Sequence, residues 1–558
     1  MNYFIQNNQL VVKTDQMLDL PFLGKKKQGE YRVHWHFIKD FLEEYNLPLT
    51  PEVAEQLKNQ VKDVKEAKRI LTATEPFGFG SMLDDDYDPY HFQEQAVEFI
   101  IKQKKVLLAD DVGLGKTVVT ITAMLRLIWE GNAERFILVV PASLRLQWLR
   151  EIRKFINRDK FPETRIMVLD GDKQSRKRIY RQWTEPTFNT GIMIMSYANV
   201  VNDFDAVKEL DVDFIALDEA TKIKNRGTKT NKAIRKLWPD TEYRVALTAT
   251  PIENGLEDLY AIIEWIDKER WRTRRYFMHK YCVMKTRKIW QGRGYILIEE
   301  LDHYQNMHDA KQKIAGLYVR RTISDVQKEL PYIITQNIEL EMQGSQKALY
   351  KEVKGEIYGS ATTIDVFAQL TYLQEVCNDP RLLEREGKGE KIKELERLLK
   401  EEYRFEKVVI ISRFKKFIKL IQSELKKLPI EIITGDTNQR NRQLIIDDFT
   451  AGEGQKIIAG TEAIEYGLNL QAGGILINLD LPWNPAKLHQ RIGRIRRLGS
   501  EYKTIRLINM TMVDTIEQRV LDVLYEKGEL FEKMFDRDSE VQIGSLLEMN
   551  RENILEMI

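Results

Sequence analysis

The chain has 558 residues, 43% of them hydrophobic and 9% aromatic, which is ordinary for a globular protein and long enough for several packed domains. Its formal net charge of +1 gives no global pull toward nucleic acid, so any such binding must come from local patches. Cys282 and Cys377 are too few and too far apart for a zinc module or a disulfide framework, no apolar run reaches a membrane span, and the opening MNYFIQNNQLVVKTDQ lacks the basic and apolar regions of a secretory leader. A cytoplasmic protein in a reducing compartment, without zinc or membrane contact, is expected.

Residues 1–83 carry apolar positions at helical spacing: Phe37, Ile38, Phe41, Leu42 and Tyr45, then Val53, Leu57, Val61, Val64 and Leu71. They predict a small, mainly helical accessory domain, either packed on the domain that follows or recognising a protein partner; the basic run Gly24 to Gln28 is too short to decide. Asp84, Asp85, Asp86 and Asp88 read as a solvated linker. Beyond it, the buried strand patterns VLLA, FILVV, IMIM, FIAL and RVAL alternate with helical stretches, and a second set, VVII, IEII, KIIA, ILIN and KTIRL, does the same. The alternation predicts an α/β protein with two parallel-sheet lobes, at 84–331 and 332–530, and a tail at 531–558. Helical protrusions are expected at about 268–318 and about 344–385, and Phe535, Ile543, Leu546 and Leu547 predict a short helix in the tail.

Chemistry is concentrated in three strings. In ADDVGLGKT, Ala109 to Thr117, a strand turns into a helix through Gly113 and Gly115, so backbone N–H groups can face an anion with no Cβ in the way. Asp110, Gly113, Leu114 and Gly115 form this cradle, Lys116 would reach the β- and γ-phosphates, and Thr117 would hold Mg²⁺. Asp110 stands where the usual pattern has its first glycine. About a hundred residues on, in DEATKIKN, Asp218 and Glu219 end a buried strand, where ligands of open α/β sheets sit. Asp218 can hold the hydrated Mg²⁺ and Glu219 can orient and deprotonate the attacking water. In QRIGRIRR, Arg494 and Arg497 lie three apart, so on a helix they share a face. An arginine meeting the developing γ-phosphate charge is worth about 10³ to 10⁵ in rate. The alternative for this string, strongest for Arg491 and Arg496, is a basic helix facing nucleic acid.

Between the lobes' motifs, Arg270 to Ile298 holds no acidic residue. Arg270, Arg272, Arg274, Arg275, Lys280, Lys285, Arg287, Lys288 and Arg293 alternate there with Trp271, Tyr276, Phe277, Tyr281 and Trp290. Phosphate contact through Arg274, Arg275, Arg287 and Lys288 and a merely solvated helical protrusion are both open.

Taken together, the chain resembles a SWI/SNF-type ATPase of helicase superfamily two from about Asp88 to about Leu530. Besides the strings above, Tyr90 to Gln93 resembles the adenine-reading Q motif, PASLRLQW at Pro141 to Trp148 motif Ia, MSY at Met195 to Tyr197 motif Ic, and LTATPIEN at Leu247 to Asn254 motif III. RRTISDVQKELP at Arg320 to Pro331 closes the first lobe. In the second, ISRF at Ile411 to Phe414 resembles motif IV, with Gly435, Arg442 and Phe449 in the next block, TEAIEYGLNLQ at Thr461 to Gln471 motif V, then DLPWNP at Asp480 to Pro485 and the brace TIE at Thr515 to Glu517. The wording is nearest bacterial RapA-like members. Departures are Ile464 and Glu465 where many relatives have two glycines, Thr221 for the usual histidine of DEAH, and Ser500 for the usual glutamine.

The resemblance implies two RecA-like lobes and an ATP-dependent translocase on double-stranded DNA, with Gln93 reading the adenine and ATP and Mg²⁺ as cofactors. It implies strand contacts at Ser143, Tyr197, Lys222, Lys224, Ser412 and Trp483, made mainly to phosphates. A monomer in the cytoplasm, associated with the nucleoid, that remodels protein–DNA complexes is expected. A strand-separating or annealing helicase shares every site residue, although no segment reads as a separating pin; a nucleotide-gated scaffold recruiting a nuclease or polymerase is the reading from another class.

Overall fold

Runs of Val, Ile and Leu without polar alternation suit a parallel sheet covered on both faces, and the chain builds two of them. The computed structural model describes residues 2–6, 9–13, 30–34, 38, 41–42, 45–48, 50–79, 82–84, 87–185, 187–238, 240–252, 255–271, 273–290, 295–322, 325–326, 330–359, 363–461, 464, 470–483, 485–497, 500–520 and 543–544. It divides into two compact units, the first chiefly residues 1–110 and 115–320, the second chiefly 321–532. The division falls at Arg320, at the start of RRTISDVQKELP rather than after it.

The first unit opens on β1 (Asn2–Gln6), β2 (Gln9–Lys13) and β3 (Glu30–His34), an antiparallel sheet in that order with Gln6 opposite Gln9. The spacing gave no sign of this sheet, which stands beside the helix expected in the same segment. Leu10 and Val12, Tyr31 and Val33 recur every second residue, so one face is apolar, and they pack with Ile38, Phe41, Leu42, Val53 and Tyr276. The helical spacing holds for the 21-residue helix Pro51–Leu71, where Thr50 Oγ1 caps the first turn by accepting from the Val53 N–H at 3.4 Å. Phe37, Asp85, Asp86 and the basic run at 24–28 lie outside the described residues, as do the side chains of Leu57 and Val61.

The main sheet of this unit comprises β4 (Lys105–Leu108), β5 (Arg135–Val140), β6 (Arg165–Val168), β7 (Gly191–Ser196), β8 (Phe214–Asp218) and β9 (Tyr243–Leu247), with the two-residue strand β12 (Tyr318–Val319). Starting from that short strand, the order is β4, β9, β8, β5, β7, β6, every neighbouring pair parallel. Five of these strands are the expected apolar runs, their apolar interior positions buried; β6 and Tyr318–Val319 are short additions at the two edges.

The segment expected as a helical protrusion, about 268–318, is helical only at Arg274–Tyr281 and Met307–Ile314. Between them β10 (Cys282–Trp290) and β11 (Tyr295–Tyr304) form a long antiparallel hairpin. Val283, Thr286, Ile289, Ile296 and Ile298 are β-branched and favour extended chain, which outweighs the helical reading of the aromatic and basic spacing. Ile543–Gly544 adds a short antiparallel strand at the hairpin base, opposite Tyr304 and His303. The remainder of the tail lies outside the described residues.

In the second unit, β13 (Tyr332–Leu340), β14 (Lys407–Ile411), β15 (Ile430–Ile433), β16 (Lys456–Gly460), β17 (Ile475–Asn478) and β18 (Thr504–Met512) pair in the order 13-18-17-14-16-15, all parallel. The protrusion expected at about 344–385 is present as the helices Gly344–Gly359 and Thr363–Asn378. Glu517 of the TIE brace is buried: its Oε1 accepts from Lys391 Nζ at 2.6 Å and its Oε2 from the Met512 N–H at 2.9 Å, which ties the end of β18 to the Glu390–Arg397 helix.

Candidate nucleotide site and nucleic-acid interface

β4 ends at Leu108, and the chain passes through a loop to a helix that starts at Lys116. Gly113 and Gly115 have φ of +92° and +86°, a left-handed conformation that a side chain would strain. A Cβ at Gly115 would also overlap the Gln93 amide. Lys116 Nζ donates to the Asp110 carbonyl at 2.7 Å, and the first turn of the Lys116–Trp129 helix, which includes Thr117, carries no acidic residue. Left-handed glycines, a helix N-terminus and a lysine at its mouth are a cradle for phosphate groups, and the residues present fit a triphosphate. Asp110, in the place of the pattern's first glycine, is fully buried beneath the loop.

Gln93 differs from its expected role. It is 1% exposed, and its Oε1 accepts from Tyr87 Oη at 3.0 Å and the Tyr90 N–H at 3.1 Å. The side chain braces the glycine loop from below instead of lying open to an adenine edge.

Asp218 closes β8, separated from β4 in the sheet by β9 alone. Two strand spacings put the carboxylate pair and the cradle roughly 10 Å apart along one carboxyl edge of the sheet. Trp148 Nε1 donates to Asp218 Oδ2 at 2.8 Å and the Glu219 N–H to Oδ1 at 3.0 Å. Glu219 sits at φ +52°, ψ +56°, a left-handed conformation rare outside glycine. On β9's extension, Thr248 Oγ1 accepts from the Thr250 N–H at 3.2 Å, and Thr221 stands in the short helix Ala220–Ile223.

Two groups here were misassigned or missed from sequence. Tyr197, expected on the DNA strand, is 7% exposed, and its hydroxyl donates to the Asp218 carbonyl at 2.8 Å. Burial, with the charges of Asp218 and Glu219 nearby, pushes that hydroxyl well above its ordinary range, so it remains a donor. Trp148 lay inside a recognised string, yet only the three-dimensional structure places its indole N–H on the carboxylate.

In the second unit, the helix Pro485–Ile492 ends before the arginines expected on one helical face. Arg494 and Arg497 follow it in a turn, so the three-residue helical spacing does not orient them. The Arg494 N–H bonds to the Arg491 carbonyl at 3.2 Å, Arg497 Nε donates to the Gly493 carbonyl at 3.1 Å, and Arg494 is 5% exposed. Arg491 is a buried strut, 1% exposed, donating to the Asp480 carbonyl at 2.6 Å and Asn478 Oδ1 at 3.3 Å, and Arg496 Nε donates to the Pro331 carbonyl at 2.8 Å. Arg491 is therefore not a nucleic-acid-facing group, as the alternative reading had it, and Arg496 is half-buried. Ser412, expected on DNA, is likewise fully buried with its hydroxyl bonded to Asp480, and Trp483 is half-buried against Leu481 and Val520.

Of the other expected strand contacts, Ser143 is half-buried in the short helix Ala142–Leu144, Lys222 is exposed and Lys224 half-buried. Arg274 and Arg275 are exposed in the first turn of their helix, and Lys288 is exposed on β10. The Arg287 side chain, Arg272, Arg293, Asn484 and the centre of the motif V string at 465–469 lie outside what is described.

Comparison with known proteins follows the same division. A model of the SNF2-related domain matches residues 92–382 and a model of the helicase conserved C-terminal domain matches 390–499. An uncharacterized ATP-dependent helicase of Mycoplasma pneumoniae is 28% identical over 466 residues, covering 80% of this chain and 42% of its own length. The uncharacterized ATP-dependent helicase YqhH of Bacillus subtilis is 25% identical over 532 residues, covering 88% of this chain and 89% of its own. The SWI2/SNF2 ATPase core of Sulfolobus solfataricus, solved in complex with double-stranded DNA, is 24% identical, covers 80% of this chain with 92% of its own, and superposes with a TM-score of 0.39. The chain thus spans less than half of the Mycoplasma relative. The SNF2-related match alone takes in more than half of the residues, and the chain belongs to the SNF2 family of helicase-type ATPases.

Proposed function

We propose that this chain is an ATP-dependent translocase on double-stranded DNA that couples hydrolysis to tracking along the duplex and to remodelling of protein–DNA complexes. The observation that carries the reading is the shared carboxyl edge of one sheet, with the Gly113–Gly115 loop and Lys116 at one strand end and Asp218 with Glu219 at another, in a chain of this family. Relatives named ATP-dependent helicases support the nucleic-acid part.

In this reading the backbone N–H groups after Gly113 and the Lys116 ammonium bind the triphosphate, and Thr117 and Asp218 hold magnesium. When bound, the ion neutralises charge on the phosphate oxygens. Trp148 and Tyr197 fix Asp218 through its carboxylate and its carbonyl. Glu219 takes the proton of the attacking water on a carboxylate oxygen, and Arg494 and Arg497 answer the charge that develops at the γ-phosphate. A nucleotide biases a conformational equilibrium only by its differential affinity for the two states, and the arginines supply that difference. Lys222, Lys224, Arg274, Arg275, Arg287 and Lys288 contact phosphates, which predicts little sequence preference and steep salt dependence. Both the cytoplasmic location and a monomeric state belong to the same proposal.

ATP turnover measured in parallel with single-stranded DNA, duplex DNA, forked DNA and RNA tests it. Every DNA containing duplex should raise turnover, and single strands and RNA should not. Stimulation by single strands or RNA without stimulation by duplex would overturn it.

A further inference from the structure

The strand between the cradle and the carboxylate pair is β9, whose last residue, Leu247, lies in register with Leu108 of β4 on one side and Asp218 of β8 on the other. Its continuation, Thr248 to Ile252, therefore leaves the sheet between the two halves of the candidate site. One end of this turn is tied to the cradle strand, since the Thr248 N–H donates to the Leu108 carbonyl at 3.2 Å. Within it the Thr250 N–H bonds to Thr248 Oγ1, while Thr250 Oγ1 is buried with no partner among the described residues. With so few bonds of its own, the turn takes its place from its two ends. The second end, two residues of sequence beyond Ile252, is the start of the helix Leu256–Ile266 on Gly255.

Gly255 has no side chain to accept from the first-turn N–H groups of that helix. The acceptor comes from the hairpin instead. Tyr304 Oη, on the last residue of β11, accepts from the Leu256 N–H and donates to Glu257 Oε2, both at 3.0 Å. Tyr304 is buried, and burial, with the Glu257 carboxylate beside it, pushes its hydroxyl well above the ordinary range, so it remains a donor. The fit is close from the glycine's side too. Gly255 has an extended backbone that any residue adopts, yet a Cβ there would stand 2.5 Å from Tyr304 Oη. Farther along, the helix is held by other means: Leu259, Ile262, Ile263 and Ile266 are buried, and Glu264 pairs with Arg226 at 2.9 Å. Its first turn, the end next to Thr248–Ile252, is the part that the hairpin holds.

We propose that Tyr304 is a positioning residue for ATP hydrolysis: its hydroxyl, reaching from the hairpin, caps the Leu256–Ile266 helix and thereby keeps the Thr248–Ile252 turn in place between the cradle and the carboxylates. The proposal rests on the reading of Lys116, Asp218 and Glu219 as the hydrolytic site and adds the contact that ties the hairpin to it. Its signature is a loss of kcat without a loss of ATP binding, since the cradle itself is untouched.

The test measures ATP turnover of the full chain over a range of ATP concentrations, with and without duplex DNA, at a temperature well below the melting point of every variant. Tyr304→Phe removes one oxygen and keeps the ring; its kcat should fall about 10- to 100-fold, the cost of a misplacement of up to about 1 Å at a reacting centre, with KM for ATP unchanged. Gly255→Ala leaves the hydroxyl present and presses on it, and should lower kcat in the same way. In the double variant the nearest Tyr304 atom to the new methyl becomes ring carbon Cζ at 3.8 Å, so kcat should be no lower than in Tyr304→Phe alone, as expected of two changes to one contact. Wild-type kcat in Tyr304→Phe, with or without a lowered melting temperature, a raised KM at unchanged kcat, or losses that multiply in the double variant would overturn the proposal. A wild-type enzyme that duplex DNA does not stimulate refutes the translocase reading, and normal hydrolysis by Glu219→Gln refutes the reading of that base, while the kcat comparison without DNA still decides Tyr304.

Discussion

Replacing Trp148 by Phe removes one hydrogen-bond donor and leaves an aromatic ring in the same pocket. The indole N–H sits 2.8 Å from Asp218 Oδ2, and the side chain is 2% exposed, so water cannot easily supply a substitute. A hydrogen bond to an ionised group is worth about 1.5–3 kcal/mol. Loss of the group that orients a metal-binding carboxylate costs about 10- to 100-fold in metal affinity or activity, the same range in another form. Turnover with saturating ATP and duplex DNA, titrated with Mg²⁺, should therefore show a half-saturating concentration raised about tenfold or more, with the rate largely recovered at high Mg²⁺. A thermal melt read alongside separates this from the smaller ring's poorer packing. If the melting temperature falls and the Mg²⁺ dependence stays that of wild type, Trp148 is packing alone and Asp218 is not the metal-holding group.

Glu219→Gln should retain ATP and duplex binding and lose about 10²- to 10⁴-fold in turnover, the usual contribution of a general base; near-normal hydrolysis would remove Glu219 from that role. Neutralising Arg274, Arg275, Arg287 and Lys288 together should weaken duplex binding and flatten the slope of log affinity against log salt by about 3 to 4, and an unchanged slope would mean these side chains face only solvent. Asp203 accepts from Arg176 Nε at 2.6 Å and Nη2 at 3.0 Å and from Tyr180 Oη at 3.1 Å, and these bonds hold its carboxyl below the usual range, the Arg176 bond contributing most. A carboxyl depressed by folding stabilises the native state above its ordinary value, near pH 4, and that stability is lost as pH falls through the depressed one. Asp203→Asn should therefore cost about 1–2 kcal/mol near pH 7, and the gap from wild type should close in acid; a melting difference independent of pH would contradict this.

The two sheets were legible because their strands are buried on both faces. Val106 to Leu108, Phe136 to Val140 and Val408 to Ile411 need no alternation to announce themselves. Strands exposed on one side announce themselves less. In β13, Tyr332 and Ile334 face outward at 59% and 56% exposure, and the polar Thr335, Gln336 and Asn337 that follow hide an edge strand. The N-terminal strands NYFIQ and QLVVK, two residues apart, are a hairpin signal that the helical spacing farther along masked. The same holds for the Cys282–Tyr304 hairpin, where counting cations and rings drew notice away from β-branched residues and from the glycines of QGRG.

Within the site, the cradle and the carboxylate pair could be read directly, since their residues are adjacent in sequence and their function depends on that adjacency. The supports could not. Trp148 and Tyr197 reach Asp218 from helices that precede it by 70 and 21 residues. Spacing failed for Arg494 and Arg497 because the helix ends at Ile492, two residues before the first of them.

The proposed role of Arg497 in hydrolysis is tested most directly by ATP turnover of wild type and Arg497→Ala, each with and without duplex DNA. Duplex should accelerate the wild type, and the variant should bind ATP and duplex normally while turning over about 10³-fold more slowly. Near-normal turnover in the variant, with weakened duplex binding instead, would make Arg497 a phosphate contact and contradict its proposed part in hydrolysis.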